Sequence, residues 1–301
     1  MRRLNNCLIK KKYSGIPIWF MRQAGRYLSE FKKIRKNNLN FINLCLNKKL
    51  VNEISLQPIK RFDLDAVILF SDILMIPYAL GQEVTFKKNF GPILKKFDFN
   101  IIPKTTTKNF TEKLNNVYEG LNLIKKNMDY KNKSLIGFAG SPWTLLIYMI
   151  HKQSPKKNLN ISRVFKDKIL IKDLLKELEK FICLHIDKQI EAGANIIQIF
   201  DSWAGLLPKK ELPNYCYIPI LKIVEHVKSK KIPVICFPKG IGENYLDFCS
   251  IVKPDCISDA VLNPDDTGPI KAIGATTHPD NNTPIVSATN HFLIIESPFY
   301  N

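Results

Sequence analysis

The fold is indicated most clearly by residues 134–149, which read SLIGFAGSPWTLLIYM. The first seven residues form a short apolar run of the kind found in buried parallel strands. The small residues that follow indicate a strand-to-helix turn, and Pro142 suits the first turn of a helix. This stretch therefore predicts one strand followed directly by one helix.

The same succession recurs along the chain. Apolar runs predict four further buried strands and a weaker fifth, at IPIWFM (16–21), DAVILF (65–70), NIIQIF (195–200), IPVICF (232–237) and, less clearly, DCISDA (255–260). Helical patterns lie between them, such as the one that Asn47 can cap and Pro58 should kink or interrupt, and the one over 173–192. Such alternation is compatible with a closed (β/α)8 barrel or an open doubly wound sheet.

Polar residues lie just past the carboxyl ends of the predicted strands, which is where a barrel builds its active site. They are Arg22 and Arg26, Ser71 and Asp72, Ser141, Asp201 and Ser202, and Lys239. The first strand is not followed by the glycine-rich GxGxxG of a dinucleotide-binding sheet. We therefore predict a TIM (β/α)8 barrel forming a single domain over residues 1–301.

The composition is that of a soluble globular protein, with 45% hydrophobic residues among 301. The net charge of +18 suits an acidic partner, whether nucleic acid, acidic lipid or an acidic small substrate, or it reflects solvated surface lysines. No aromatic-basic RNA motif or helix-turn-helix signature stands out, so we expect no nucleic-acid partner.

Cysteine spacing and hydropathy predict the compartment. The seven cysteines include no CxxC pair, which indicates neither a disulfide framework nor a Cys-rich zinc site. No apolar run reaches about 18 residues, and the first residues lack the apolar core of a signal peptide. We expect a cytoplasmic protein without a membrane partner.

A cluster of arginines suggests a polyanionic ligand. Arg22 and Arg26 flank Gly25, where the backbone can approach a ligand, and Arg35 follows nine residues later. Guanidinium groups bind carboxylates through paired, planar hydrogen bonds. The alternative is a surface helix start with solvated arginines.

Other strand ends carry further candidates, each with an ordinary structural alternative. Asp72 directly follows an apolar strand, where a carboxylate could face positive charge on a substrate or could cap the next helix. Tyr148 could point its hydroxyl into the same opening or could be a core aromatic. Ser202 follows Asp201, but no G-x-S-x-G elbow surrounds it, and the five histidines show no triad or zinc pattern.

The combination of these segments resembles the uroporphyrinogen decarboxylase family from about Pro17 to Asp259. The most specific matches are PIWFMRQAGRY, LQPIKRFDLDAVILFSDIL, GFAGSPWTLLIYM and FDSWAG. The resemblance implies a homodimeric barrel that removes carbon dioxide from the four acetate arms of uroporphyrinogen III and gives coproporphyrinogen III.

The resemblance also implies roles for residues. It places substrate binding on Arg22, Gln23, Ala24, Gly25 and Arg26, with Arg35 a lesser candidate. Asp72 is implied as the catalytic carboxylate that meets the pyrrole N–H groups, and Tyr148 and Ser202 as further substrate contacts. A pyrrole protonated on carbon is itself an electron sink, so no cofactor or metal is expected.

The tail departs from the family pattern after Asp259. The family ends with a strand, a helix and a histidine turn, which the remaining residues are too few to contain, although His291 is a weak counterpart of the histidine. We expect a divergent tail over 261–301, with the last strand-helix units atypical or incomplete and the segment poorly ordered.

Three other functions remain open. The chain could be an inactive, truncated homologue, or a corrinoid-type methyltransferase, although no His and Cys cluster suits the zinc that such enzymes need. It could also be a basic nucleic-acid-binding protein.

Overall fold

A central parallel sheet carries the fold, with helices packed against it. The computed structural model describes residues 2–10, 16–19, 28–87, 90–155, 159, 161, 165 and 167–258. Within them, five parallel strands form the sheet: β1 (Ala66–Ile68), β4 (Ser134–Gly140), β5 (Ile196–Asp201), β6 (Val234–Pro238) and β7 (Cys256–Ile257). A separate antiparallel hairpin consists of β2 (Val84–Lys87) and β3 (Gly91–Leu94).

Helices connect the parallel strands. Their bounds are α1 (Arg3–Lys10), α2 (Ser29–Asn37), α3 (Phe41–Cys45), α4 (Lys48–Arg61), α5 (Met75–Ala79), α6 (Thr107–Asn127), α7 (Pro142–His151), α8 (Lys168–Ala192), α9 (Ile218–Ser229) and α10 (Tyr245–Val252). Short 3-10 turns lie at Phe99–Lys104, Ala204–Leu206, Lys209–Glu211 and Gly242–Asn244, and a π-helical turn at Pro213–Tyr217 leads into α9.

The strand order confirms the α/β class and bears on the choice between barrel and open sheet. The described strands lie side by side in chain order, β1-β4-β5-β6-β7, and each neighbouring pair is parallel. An open doubly wound sheet reverses its order at a switch point, and the described strands show no such reversal. This order is the one that a (β/α)8 barrel requires.

The predicted strands at 65–70, 134–140, 195–200, 232–237 and 255–260 correspond to β1, β4, β5, β6 and β7. The one predicted over 16–21 is wrong for its described part, because residues 16–19 are not in a strand. Ile18 nevertheless lies beside the start of β1: its N–H donates to Asp65 Oδ2, and the Asp65 N–H donates to Ile18 O, both at 2.7 Å.

Of the two sequence signals in α4, the cap at Asn47 is confirmed and an interruption at Pro58 is not found. Asn47 caps α4, as predicted, because its Oδ1 accepts from the N–H groups of Lys49 and Leu50. Pro58 does not interrupt α4, which runs on to Arg61. Proline near a helix end removes only one main-chain donor, and the Phe62 N–H still reaches Pro58 O at 2.9 Å.

The hairpin of β2 and β3 was not predicted. Both strands are only four residues long, and half or more of each is exposed or partly exposed. Strand β2 (VTFK) includes a threonine and a lysine, and β3 (GPIL) begins with a glycine and a proline, so neither gives the longer apolar run on which the other predictions depended.

Candidate active site

The carboxyl ends of the neighbouring strands are joined by main-chain hydrogen bonds. The Ser141 N–H after β4 donates to Phe200 O of β5 at 2.9 Å, and the Lys239 N–H after β6 donates to Asp201 O at 3.1 Å. Ile73, next to Asp72, packs against Gly140, where an added Cβ would lie 3.1 Å from the Ile73 Cβ. The polar residues after β1, β4, β5 and β6 therefore lie along one edge of the sheet, as predicted.

Asp72 holds the turn between β1 and α5. Its Oδ1 accepts from the Leu74 N–H at 2.8 Å, and the Met75 N–H donates to Asp72 O at 3.2 Å. The side chain is partly exposed, so the carboxylate can still face a ligand. Asp72 thus bonds within the turn and does not occupy the N-cap position of α5, which is Leu74. The substrate role of Asp72 stays a prediction.

Arg35 and Asp72 both lie near the buried Cys45. Burial raises the pKa of the Cys45 thiol well above its usual range, the Asp72 charge raises it further, and the Arg35 charge lowers it. Arg35 donates through Nη1 to the carbonyl oxygens of Asn38 and Leu39, just past the end of α2. Its guanidinium thus holds the chain just past the end of α2.

Three aromatic rings line one face of the sheet near these strand ends. The Phe138 and Phe200 centroids are 5.5 Å apart, and those of Phe200 and Phe237 are 5.9 Å apart. An added Cβ on Gly137 would meet Gln189 of α8 at 2.6 Å, so Gly137 faces the helices. Because side chains alternate along a strand, Phe138 faces the other way. The rings make that face apolar beside the polar edge, with Phe138 and Phe237 buried and Phe200 partly exposed.

Tyr148 lies against the turn that contains Ser202. Its ring makes an edge contact with the Trp203 ring, with centroids 5.9 Å apart. Both aromatic residues and Ser202 are partly exposed. The Trp203 indole N–H is buried and has no hydrogen-bond partner among the described residues. Sequence reasoning did not single out Trp203, although it lies inside the FDSWAG motif.

A buried hydrogen-bond network lies behind Ser202. The Thr144 hydroxyl donates to Asp201 Oδ1 at 2.6 Å and accepts from the Trp203 N–H at 3.1 Å. The Trp143 indole N–H donates to Trp203 O at 3.0 Å. Asp201 is fully buried, and burial raises the pKa of its carboxyl, against the lowering effect of the Thr144 hydrogen bond. The role of Thr144 was missed, because a threonine inside an apolar helix gives no signal of its partner.

The start of helix α7 places Thr144 in this network. Ser141 is its N-cap, since the Ser141 hydroxyl accepts from the Thr144 N–H at 3.1 Å. Pro142 occupies the first turn, as predicted, where its missing N–H costs no helical bond. Thr144 and Tyr148 are one turn apart on this helix and both reach the β5 turn.

The β5 and β6 turns approach closely at two glycines. The Gly205 N–H donates to Lys239 O at 2.9 Å, and an added Cβ on Gly205 would lie 2.6 Å from Gly240 O. Gly240 has a φ of +79°, a conformation that favours glycine. The Ser202 turn is thus held between α7 and the β6 turn.

The remaining predicted residues lie outside the described parts of the chain. They are Arg22, Gln23, Ala24, Gly25, Arg26 and His291, together with the tail 261–301. Among described residues, no group of three or more His, Cys, Asp or Glu could hold a metal ion. No helix in the described ranges is long and apolar enough to span a membrane.

Comparison with known proteins identifies the family. The family model described as uroporphyrinogen decarboxylase (URO-D) matches residues 1–275, most of the chain. This chain belongs to the uroporphyrinogen decarboxylase family. The predicted resemblance to that family is therefore confirmed, and the match continues past Asp259 to residue 275.

Relatives with the name uroporphyrinogen decarboxylase support this family membership. A uroporphyrinogen decarboxylase of Rickettsia bellii is 42% identical over 292 residues, which cover 96% of this chain and 85% of the relative. That of Rickettsia akari is 43% identical over 262 residues, covering 86% and 77%. Among solved structures, a methyltransferase from Methanosarcina mazei has a TM-score of 0.69 at 15% identity, covering 85% of this chain and 74% of its own. That likeness concerns the fold alone.

Proposed function

We propose that this chain is a uroporphyrinogen III decarboxylase, a carboxy-lyase that converts the four acetate side chains to methyl groups in haem biosynthesis and gives coproporphyrinogen III. The observation that carries the proposal is family membership combined with Asp72 at the strand-end edge, beside an apolar aromatic face. A tetrapyrrole polycarboxylate needs a polar edge for its carboxylates and an apolar face for its rings.

The chemistry requires stabilisation of a cationic ring. A proton added to a pyrrole carbon creates a cation that accepts the C–C bonding electrons as carbon dioxide leaves. The exocyclic carbon then takes a proton and the ring loses one, which leaves a methyl group. Asp72 is proposed to face this cation and the pyrrole N–H groups, where a fixed negative charge lowers the barrier. The substrate ring serves as the electron sink, so we propose a reaction without a cofactor.

Other residues are proposed to bind the substrate. Arg22 and Arg26, within the loop Arg22–Arg26, are proposed to pair with carboxylates that stay charged throughout. Tyr148 and Ser202 are proposed as further contacts, since both are partly exposed at the same edge. Arg35 stays a lesser proposal because its Nη1 is bound to main-chain carbonyls. His291 is kept as a weak counterpart of the family histidine.

The domain organisation, the oligomeric state and the location of the molecule are also proposals, since only the α/β sheet is observed. We propose that residues 1–301 form one barrel domain, supported by strands that lie in chain order. Homodimer formation is proposed on the family resemblance. A cytoplasmic location is proposed on cysteine spacing and hydropathy, and the lack of a nucleic-acid partner on the sequence motifs. The corrinoid methyltransferase and the inactive homologue are not favoured by relatives that align over most of the chain.

The test is direct turnover. Purified protein is incubated anaerobically with uroporphyrinogen III, and products are separated by their number of carboxylates. Conversion through seven, six and five carboxylates to four supports the proposal. Unchanged substrate with correctly folded protein would contradict it, and a heat-treated sample controls for spontaneous oxidation and loss.

A further inference from the structure

Asp201 is an acid that a substrate does not reach. It is fully buried, and its position in β5 follows Ile197 and Ile199 on the face that carries the helices. Its partner there is Thr144 of α7, at 2.6 Å. The next residue, Ser202, is partly exposed at the candidate site. The acid therefore acts on the side of the chain away from the proposed substrate.

The Thr144 hydroxyl forms hydrogen bonds with the residues on both sides of Ser202. Thr144 Oγ1 donates to the carboxyl of Asp201, before Ser202, and accepts from the N–H of Trp203, after it. Trp143 of the same helix holds the Trp203 carbonyl at 3.0 Å. The orientation of Ser202 therefore depends on contacts made by its two neighbours with α7.

Burying the Asp201 carboxyl costs free energy, and packing alone does not explain why an acid is present there. Removing a carboxyl from water is unfavourable unless hydrogen bonds offset it. Oδ2 has no hydrogen bond of good geometry among the described residues, although the Ser141 hydroxyl and Cys216 thiol are near enough to lower the pKa. An apolar residue of similar size would be cheaper to bury at this position, so a purely structural role is a poor explanation for an acid here.

We propose that Asp201 and Thr144 form a positioning pair, which holds Ser202 in the orientation that contacts the substrate. This inference rests on the proposed function, in which Ser202 is one of the substrate contacts. The pair touches no substrate itself and acts only through the turn.

Thr144→Val tests the pair, because valine keeps the shape of threonine and removes its hydroxyl. We expect KM for uroporphyrinogen to rise by about tenfold or more with kcat within about threefold, the signature of lost binding. Thr144→Ser keeps the hydroxyl and should stay within about threefold of the parent. Asp201→Asn keeps an oxygen for the Thr144 hydroxyl and should be milder than Thr144→Val. A Thr144→Val enzyme equal to the parent would overturn the inference.

A double-mutant cycle separates positioning from general damage. In a Ser202→Ala background the hydroxyl of Thr144 has nothing left to orient, so Thr144→Val should add less than about twofold to KM. An effect of the same size in both backgrounds would show that Thr144 only supports the fold, and would also overturn the inference.

Hydrogen–deuterium exchange gives a readout that needs no turnover. The peptide over 200–205 contains the Trp203 N–H, whose exchange should be faster by about tenfold or more in Thr144→Val and unchanged in Thr144→Ser. Equal exchange in all three proteins would refute the pair even if the kinetics changed. If the parent chain does not decarboxylate uroporphyrinogen, the proposed function fails, while the exchange result still decides whether Thr144 holds the turn.

Discussion

At the scale of single residues, Asp72 has one observed role and one proposed role, which a substitution can separate. Its Oδ1 holds the Leu74 N–H, which is a structural task, and its charge is proposed to face the substrate cation. Asparagine retains an oxygen that can accept from Leu74 but has no charge. Alanine loses both.

Asp72→Asn is therefore expected to fold like the parent and lose about 10²- to 10³-fold in kcat, the usual effect of removing a fixed electrostatic partner. Circular dichroism and single-turnover kinetics measure the two properties. Asp98→Asn is the matched control, since Asp98 is an exposed residue that also accepts a main-chain N–H, from Asn100. Parent-like turnover in Asp72→Asn, with loss of stability in Asp72→Ala, would reduce Asp72 to a turn residue.

The arginine loop gives a second prediction at this scale. Arg22→Ala and Arg26→Ala should each weaken binding of coproporphyrinogen by about 1.5 to 3 kcal/mol, because each loses a charge-assisted contact with a carboxylate. Fluorescence titration under anaerobic conditions measures the affinity. Arg61→Ala, which removes a surface ion pair with Glu30, is the control and should bind like the parent. Affinities that match the parent in both loop variants would favour the solvated-surface alternative.

At the scale of elements, α8 completes the edge of β4. Gln189 accepts from the Phe138 N–H through Oε1 and donates to Phe138 O through Nε2, both at 2.9 Å. Strand β1 ends at Ile68, opposite Ile136, so it supplies no partner for Phe138. The buried glutamine takes the place of the missing strand.

Gln189→Met should lower the free energy of unfolding by about 2 to 5 kcal/mol, because the buried N–H and C=O of Phe138 lose their partners. Urea unfolding followed by circular dichroism measures the change. Lys188→Met, at the neighbouring and half-exposed position of α8, is the control for the substitution itself and should change little. A small loss in Gln189→Met would show that water or a local shift satisfies Phe138.

The contact between α6 and α8 predicts a dependence of stability on pH. Burial lowers the pKa of His185 from 6.5 to about 3, and the Tyr118 hydroxyl lies 3.0 Å from its Nδ1. The folded protein thus keeps His185 neutral while the unfolded chain binds a proton below about pH 6.5. The unfolded state is favoured as the pH falls from about 6.5 to 3.

Between pH 7 and 5 this group should remove about 2 kcal/mol of stability. Urea unfolding at both values measures the loss, and His185→Gln, which cannot take a proton in this range, should reduce it by about that amount. Tyr118→Phe keeps His185 buried and should retain the dependence. A parent-like slope in His185→Gln would assign the acid sensitivity to other groups.

At the scale of the whole molecule, the charge of +18 suits a substrate with many carboxylates. Long-range attraction raises the association rate and is screened by salt, with a Debye length that falls to about 3 Å at 1 M. The kcat/KM for uroporphyrinogen should therefore fall by about tenfold between 0.05 and 0.5 M sodium chloride.

Product affinity should fall less over the same range, because coproporphyrinogen has lost four carboxylates. Sucrose at equal osmolality is the control and should leave kcat/KM unchanged. A value independent of salt would show that the lysines are solubilising surface residues without a part in capture.

Prediction from sequence succeeded where a local pattern carries the information. The apolar runs of β4, β5 and β6 are buried on both faces, and continuous hydrophobicity of that kind is visible without the fold. It failed for residues 16–19, which are not in a strand and bond through Ile18 to Asp65, just before β1. It also failed for the hairpin of β2 and β3, whose four-residue strands are too short to give a long apolar run.

The order of strands and helices, the family and the identity of Asp72 as a candidate could all be read from the chain, since each depends on residues close together in sequence. The contacts that position the site could not. Thr144 meets Asp201 across 57 residues, and Gln189 meets Phe138 across 51. No local pattern encodes such a pair, because the distance between its members depends on how strands and helices pack, and packing is a property of the folded chain alone.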